Sequence, residues 1–245
     1  MSERLPLFPL GTVLFPGLVL PLHVFEERYR ALVRHLIRDD AEGGTFGVVA
    51  IERGWEVGTS TTETTEVTMQ VNTSVTLHEV GCSAEIRQLT AHPDGRFDMV
   101  TVGQRRFRIR EVHADDAPFL FADVDWLDRE AAPPGGAGEE QATDPTAELL
   151  VPALLDVFQR YLELIRTDGR RGGEQLPEDP TVLSYLIAAT AVLPLDERQR
   201  LLAEPTTVER LKLERRLLSR EMGLLRQVRA LPMPLGDLAA TPSAN

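Results

Sequence analysis

The sequence predicts an α+β protein in which a β-rich N-terminal domain precedes a C-terminal bundle of helices. An uncharged, proline-rich stretch opens the chain, and residues 82–127 have strand-like patterns. Beyond a stretch rich in glycine and proline the apolar spacing is helical throughout. With 245 residues, 42% of them hydrophobic, the chain can form a packed core of this kind. The expected divisions are the β-rich domain with one early helix at 1–129, a flexible linker at 130–144, the helical bundle at 145–231 and a disordered tail at 232–245.

The stretch from Leu5 to Phe25 contains no charged residue and is long enough to cross a bilayer. It also contains four prolines, each of which removes a backbone donor and clashes with the preceding turn of a helix. Leucines at 18, 20 and 22 have the two-residue spacing of a strand. We therefore predict strands here and no insertion into a membrane.

Apolar residues at helical spacing predict the first helix from Phe25 to Arg38, and Phe46–Ile51 reads as a buried strand. The threonine-rich residues 57–76 predict a long loop or a weak hairpin. The sequence from His92 to Arg96 contains proline, aspartate and glycine where a tight turn between two strands needs them.

In the C-terminal half, Pro152 predicts that the first regular helix starts near that residue. Asp179 followed by Pro180 is a typical helix start, and the helix it opens is expected to end before Pro194. Thr206 and Glu209 form a capping-box pattern that predicts a long helix over residues 207–230.

Composition limits the classes of partner. The formal charge is −12, without the basic excess that drives nucleic-acid binding, so we expect no nucleic-acid partner. The single cysteine, Cys82, excludes an internal disulfide and any cysteine-rich zinc site. The low cysteine content suits a reducing compartment, and we expect a cytoplasmic protein.

The residue inventory gives little support to catalysis. Lys212 is the only lysine and lacks the glycine-rich turn of a nucleotide-binding loop. Ser83 lies in a partial match to the nucleophile elbow, but Glu85 stands where that turn requires glycine. Cys82 would need a neighbouring histidine to act as a nucleophile. The five histidines have no metal-ligand spacing, and we expect no enzyme activity, metal or cofactor.

The segment most suggestive of a binding site runs from Gln104 to Arg110. Alternation places Arg106, Arg108 and Arg110 on one face of this strand. This face is either a site for anions or acidic peptides, or a solvated surface paired with acids across the sheet. Trp55 and Tyr29 are either contact aromatics or core residues.

Three stretches together resemble the N-terminal substrate-binding domain of Lon-type ATP-dependent proteases. The first runs from Leu5 to Leu22 with the helix after it. The second includes Val80–Ile86 and Val102–Ile109. The third joins Leu186–Ala189, Leu193–Leu195 and Gln199–Leu202 to the last helix. Their order and spacing match over about residues 5–228.

The resemblance implies a PUA-like β-barrel followed by a helical bundle, and a non-catalytic role in recognising unfolded or extended polypeptides. It implies a stand-alone member of the family that lacks the ATPase and peptidase domains, with an adaptor or chaperone-like role in protein quality control. A separate protease or chaperone and a homodimer are further partners it suggests.

The residues that would bind polypeptide are apolar or aromatic: Phe8, Phe15, Leu18, Tyr29 and Trp55. The alternative that they fill the core between the domains stays open. A second function, a small-ligand or anion-binding regulatory module, would use Arg105, Arg106 and Arg108.

Overall fold

The computed structural model describes residues 3–38, 44–53, 76–114, 117–127, 144–165 and 176–230. The strands are β1 (Glu3–Leu10), β2 (Val19–Val24), β3 (Thr45–Arg53), β4 (Thr76–Leu77), β5 (Val80–Ala91), β6 (Phe97–His113) and β7 (Phe121–Leu127). The helices are α1 (Glu27–Arg38), α2 (Pro145–Ile165), α3 (Pro180–Thr190), α4 (Leu195–Ala203) and α5 (Thr207–Ala230). The protein is thus mixed, with a mostly antiparallel sheet and five helices among the described residues.

Strand pairing in the sheet closes on itself. β1 pairs with β7, and the pairing continues through β6, β5 and β3. β3 then pairs back to β1 in parallel, with Leu7 opposite Gly47. β2 lies outside this circuit and pairs with β6, and β4 pairs with β3. The charge-free start of the chain therefore forms strands, as predicted, and no helix among the described residues is long and apolar enough to cross a membrane.

Side chains from the strands of the circuit meet around Phe107, which is fully buried. This cluster consists of Leu5, Leu7, Val49, Phe107, Ala122 and Val124. Glycines make room for the ring, because a Cβ at Gly81 would lie 2.4 Å from Phe107 Cζ and one at Gly47 would lie 2.8 Å from it. Phe8 and Leu10 face the other way, into the cluster beneath α1. β1 is uncharged from Leu5 onward because it is buried on both faces.

Helix α1 covers one face of the sheet with Tyr29, Leu32, Val33 and Leu36. It begins at Glu27, two residues later than predicted, because the carbonyl of Glu26 accepts from the amides of Tyr29 and Arg30. Phe25 therefore stands outside the helix and is 53% exposed. The predicted turn at His92–Arg96 is confirmed, with Gly95 at a φ of 83° that favours glycine.

The prediction that the first C-terminal helix starts near Pro152 is wrong, because α2 starts at Pro145 and contains Pro152. Asp144 caps the earlier start, since its carboxylate accepts from the Thr146 amide at 2.8 Å and its carbonyl accepts from Ala147. Buried Ala147 and Leu154, on either side of the proline, hold both parts of the helix against its neighbours.

The other helix predictions are confirmed. Asp179 caps α3, accepting from the amides of Thr181 and Val182 at 2.8 Å each. α5 has the predicted bounds, and Thr206 and Glu209 bond to each other at its start. α4 was not predicted as a helix of its own. The threonine-rich residues up to 75, most of the expected linker and the expected tail lie outside the described residues.

The helices pack against one another and against the sheet. α2, α3 and α5 share an apolar cluster around Phe158, Leu183 and Leu218. A second cluster brings Val13, Phe15 and Val80 from the sheet side against Tyr185, Leu201 and Leu213 from the helices.

This packing contains two buried ionisable residues on α5, Arg210 and Glu214. Arg210 is fully buried, donates to Ser184 Oγ at 2.8 Å and to Thr207 Oγ1 at 3.1 Å, and lies 4.0 Å from the Tyr185 ring centroid. Glu214 is 1% exposed, and neither of its carboxyl oxygens has a hydrogen-bond partner among the described residues. Burial raises the pKa of Glu214 well above its usual value, against the attraction of Arg210.

Candidate functional site

β2 exposes apolar side chains along its outer edge. We refer to this strand and its two flanking residues, 18–25, as the β2 edge. Among the described residues, β2 pairs only with β6. The amide of Gly103 donates to the carbonyl of Leu18 at 2.9 Å. This bond determines which residues of β2 direct their backbone groups toward β6. Every second residue from Leu18 therefore bonds to β6, and the residues between them direct their backbone groups away from the sheet.

The outward positions are Val19, Pro21 and His23, and all three side chains are exposed. Val19 is 63% exposed and Phe25, just beyond the strand, is 53% exposed. Proline at an outward position removes a donor that would otherwise be unpaired, which limits uncontrolled strand pairing at this edge. The arrangement presents apolar side chains beside backbone groups that have no partner strand within the described parts of the chain.

A polar cluster ties the end of the β2 edge to the turn between β5 and β6. Asp98 on β6 bonds to His23 Nδ1 at 2.5 Å through one oxygen and to His92 Nε2 at 2.6 Å through the other. Hydrogen bonds to His23 and then to His92 hold the pKa of Asp98 below its usual value. The His23 ring lies 6.2 Å from that of Phe25, so this cluster also positions the exposed aromatic side chain.

Most of the aromatic candidates for polypeptide binding lie in the core. Phe8 stacks on Tyr29 with ring centroids 4.1 Å apart, and they are 5% and 4% exposed. Phe15 is fully buried and packs 6.1 Å from Tyr185 at the junction of sheet and helices. These three therefore do not form a docking surface, which corrects that interpretation. Leu18 is half-buried on the β2 edge, and Trp55 lies outside the described residues.

The three arginines of the anion hypothesis have separate surroundings. Arg106 is 3% exposed and donates to the backbone carbonyls of Leu202 at 2.8 Å and Glu204 at 2.5 Å. It therefore joins β6 to the end of α4, and the expectation of a solvated arginine face is wrong at this position. The guanidinium of Arg105 lies 4.6 Å from the Trp126 ring centroid, and Arg108 is exposed. A shallow cavity of about 200 Å³ lies elsewhere, between α1 and β5, beside Leu36, Ile86 and Leu89.

The candidate nucleophiles are unsuited to catalysis. Cys82 is fully buried, and burial raises the pKa of its thiol to about 12, which keeps it protonated at neutral pH. Ser83 is buried, with its hydroxyl donating to the Arg105 carbonyl at 3.2 Å and accepting from the Arg105 amide at 3.0 Å. Both residues support the strand in which they lie.

The structure brings together one group of potential metal ligands that the sequence did not predict. Glu111, His113 and Asp123 each place a ligand atom within 4.8 Å of the others. Strand pairing brings them together, because Glu111 on β6 lies opposite Asp123 on β7 after a shift in register. His113 Nε2 lies 3.0 Å from Asp123 Oδ2, an ordinary hydrogen bond between half-exposed groups.

Comparison with known proteins identifies the family. The profile of the ATP-dependent protease La (LON) substrate-binding domain matches residues 4–220. The chain therefore belongs to the Lon substrate-binding domain family, as the sequence resemblance implied. The family description names a substrate-binding domain rather than a catalytic one.

Two curated relatives illustrate the match. Lon protease 2 of Syntrophobacter fumaroxidans is 29% identical over 84% of this chain, and Lon protease 2 of Myxococcus xanthus is 28% identical over 92% of it. The aligned region covers only 23% and 24% of those proteins, so the chain spans about a quarter of their length.

Two solved structures share the fold. The Lon N-terminal domain protein from Xanthomonas campestris has a TM-score of 0.58 at 25% identity, covering 89% of this chain and 98% of that one. The N-terminal domain of the Mycobacterium avium complex Lon protease has a TM-score of 0.57 at 19% identity, with the same coverage.

Proposed function

We propose that this chain is a non-catalytic polypeptide-binding module that captures unfolded or extended segments at the β2 edge. The observation that carries the proposal is the exposure of Val19 and Phe25 beside a strand that, among the residues described, is paired on one side only, in a domain of a substrate-binding family. An extended segment adding to such an edge gains backbone hydrogen bonds, and its side chains meet the exposed apolar ones.

The proposal extends to the organisation of the molecule. The closed strand circuit supports a PUA-like barrel within residues 1–129, and the shared apolar cluster of α2, α3 and α5 supports a helical bundle within 145–231. The cytoplasm is the proposed location, and an adaptor or chaperone-like role beside a separate protease is the proposed context.

The test is the affinity for a fluorescein-labelled, permanently unfolded polypeptide, measured by anisotropy. The wild type should bind at tens of micromolar or tighter. Val19→Ser with Phe25→Ser should weaken binding at least about tenfold, since burying even part of two such side chains contributes more than about 1.4 kcal/mol.

Leu149→Ser with Val192→Ser is the matched control, because these side chains are 80% and 72% exposed, on α2 and on the segment between α3 and α4. This control should bind like the wild type. No binding by the wild type at tens of micromolar would contradict the proposed function. Equal losses in the two double variants would contradict the assignment to the β2 edge.

A further inference from the structure

Helix α5 has one strongly basic face in a chain whose formal charge is −12. Lys212, Arg215, Arg216 and Arg226 are all exposed. At 3.6 residues per turn their side chains fall within an arc of about 100°, and they span about 21 Å along the axis. We call these four residues the α5 basic face.

These cations have no acidic partner among the described residues, and the same holds for exposed Arg108 and Arg200, whereas several other arginines are paired. Arg220, on the same helix, binds both carboxyl oxygens of Glu197, at 2.5 and 2.7 Å, and also contacts Glu221 at 2.6 Å. Arg34, Arg96, Arg110 and Arg160 each pair with a carboxylate as well. The positive charge of the α5 basic face is therefore uncompensated within the described structure.

The acids of α5 are directed elsewhere. Glu214 is buried on the side of the helix that faces the protein, and Glu209 bonds to the Thr206 hydroxyl at the helix start. Lys212 also has like-charged neighbours three and four residues away, Arg215 and Arg216, and such spacing is unfavourable for an isolated helix. An anionic partner would offset this repulsion between the cations.

The middle of the face has small side chains. Ser219 and Gly223 lie between the cations, one helical turn apart, and a Cβ at Gly223 would meet nothing within 4 Å. A partner segment can therefore approach the helix backbone closely while its acidic groups reach the flanking guanidinium groups. Arginine is well suited to this contact because its planar group binds a carboxylate through two donors.

We propose that the α5 basic face docks an acidic helical segment of a partner protein, with Asp or Glu at every third or fourth position. Charge complementarity calls for an anionic partner, and two further features of the molecule favour a polypeptide over a nucleic acid. The cations are confined to one side of a single helix, without exposed aromatic residues for stacking on bases, and the rest of this acidic chain repels a long polyphosphate backbone.

The probe is a labelled alanine-based peptide of about 20 residues with glutamate at every third or fourth position, titrated by anisotropy at low salt. The wild type should bind it and should release it as the salt concentration rises. Arg215→Glu with Arg216→Glu should weaken binding at least tenfold. Arg108→Glu with Arg200→Glu makes the same change in net charge at other exposed positions and should stay within about threefold of the wild type.

Three results would overturn the proposal: no binding of the glutamate peptide, equal binding of the same peptide with glutamine for glutamate, or equal losses in both double variants. Tighter binding of a 20-base-pair DNA duplex would identify a nucleic-acid surface instead. Unchanged circular dichroism and melting temperatures show that both variants are folded. Binding of the unfolded polypeptide at the β2 edge should be the same in both, which separates this proposal from the proposed function.

Discussion

Arg106 on β6 donates a hydrogen bond to the carbonyl oxygen of Leu202 at the end of α4, across 96 residues of sequence and at a distance of 2.8 Å. The same guanidinium reaches the carbonyl of Glu204 at 2.5 Å. A charged side chain thus satisfies carbonyls that the end of a helix leaves unpaired, and it connects the sheet to the helices.

Replacing Arg106 with alanine should lower the free energy of unfolding by about 2–4 kcal/mol, because two carbonyls lose a charged donor. Arg108→Ala, two residues away and exposed, should change it by less than about 0.5 kcal/mol. Urea denaturation measures both. Similar losses in the two variants would contradict the structural role assigned to Arg106.

Glu214 should make stability fall as the pH rises. Its pKa is raised in the folded protein, so its favourable contribution is complete below the unfolded pKa of about 4.3 and is lost as the pH rises through the folded value. The free energy of unfolding, relative to that of Glu214→Gln, should therefore decrease from pH 5 upward by at most about 1.4 kcal/mol per pH unit. Parallel pH curves for the two proteins would contradict this.

Two glycines should respond oppositely to alanine. A Cβ at Gly103 would lie 2.3 Å from the carbonyl oxygen of Phe15, so Gly103→Ala should destabilise the protein by about 1–3 kcal/mol or more. A Cβ at Gly223 meets nothing within 4 Å on an exposed helix surface, so Gly223→Ala should stabilise it by about 0.5–1 kcal/mol. Thermal unfolding distinguishes a loss of stability from a gain. A stabilising Gly103→Ala would show that the segment containing Phe15 packs differently against β6.

Cys82 should be unreactive in the folded protein. Its thiol is buried with a pKa of about 12, and only the thiolate attacks a disulfide reagent. Labelling with an aromatic disulfide at pH 8 should be at least 100 times slower in buffer than in guanidinium chloride. Rapid labelling of the native protein would indicate that β5 is more accessible than its burial implies.

The sequence predicted the local elements well, because their signals lie within a few residues. Proline and leucine spacing marked β1 and β2, and Asp179 and Thr206 marked helix starts that the structure confirms. The long-range relationships carried no such signal. Alternation placed Arg106 on the correct strand but did not predict its contact with α4. The apolar pattern also did not distinguish Phe8, which is buried, from Val19, which is exposed.

The sequence predicted the region of the candidate site but not most of the residues that form it. Leu18 belongs to the β2 edge, whereas the exposed neighbours Val19 and Phe25 were missed, since exposure depends on which edge of the sheet lacks a partner strand. Phe25 was assigned to a helix that begins after it. The His23–Asp98–His92 cluster depends on the register of β2 against β6, which a single sequence does not reveal.

Hydrogen–deuterium exchange, measured with and without an excess of unfolded polypeptide, tests whether the β2 edge is the strand that binds polypeptide. We expect slower exchange at the outward amides of the β2 edge, those of Val19 and His23, while the amides of α2 keep their rates. Unchanged exchange along residues 18–25, with protection elsewhere in the bound protein, would contradict the assignment of polypeptide binding to this strand.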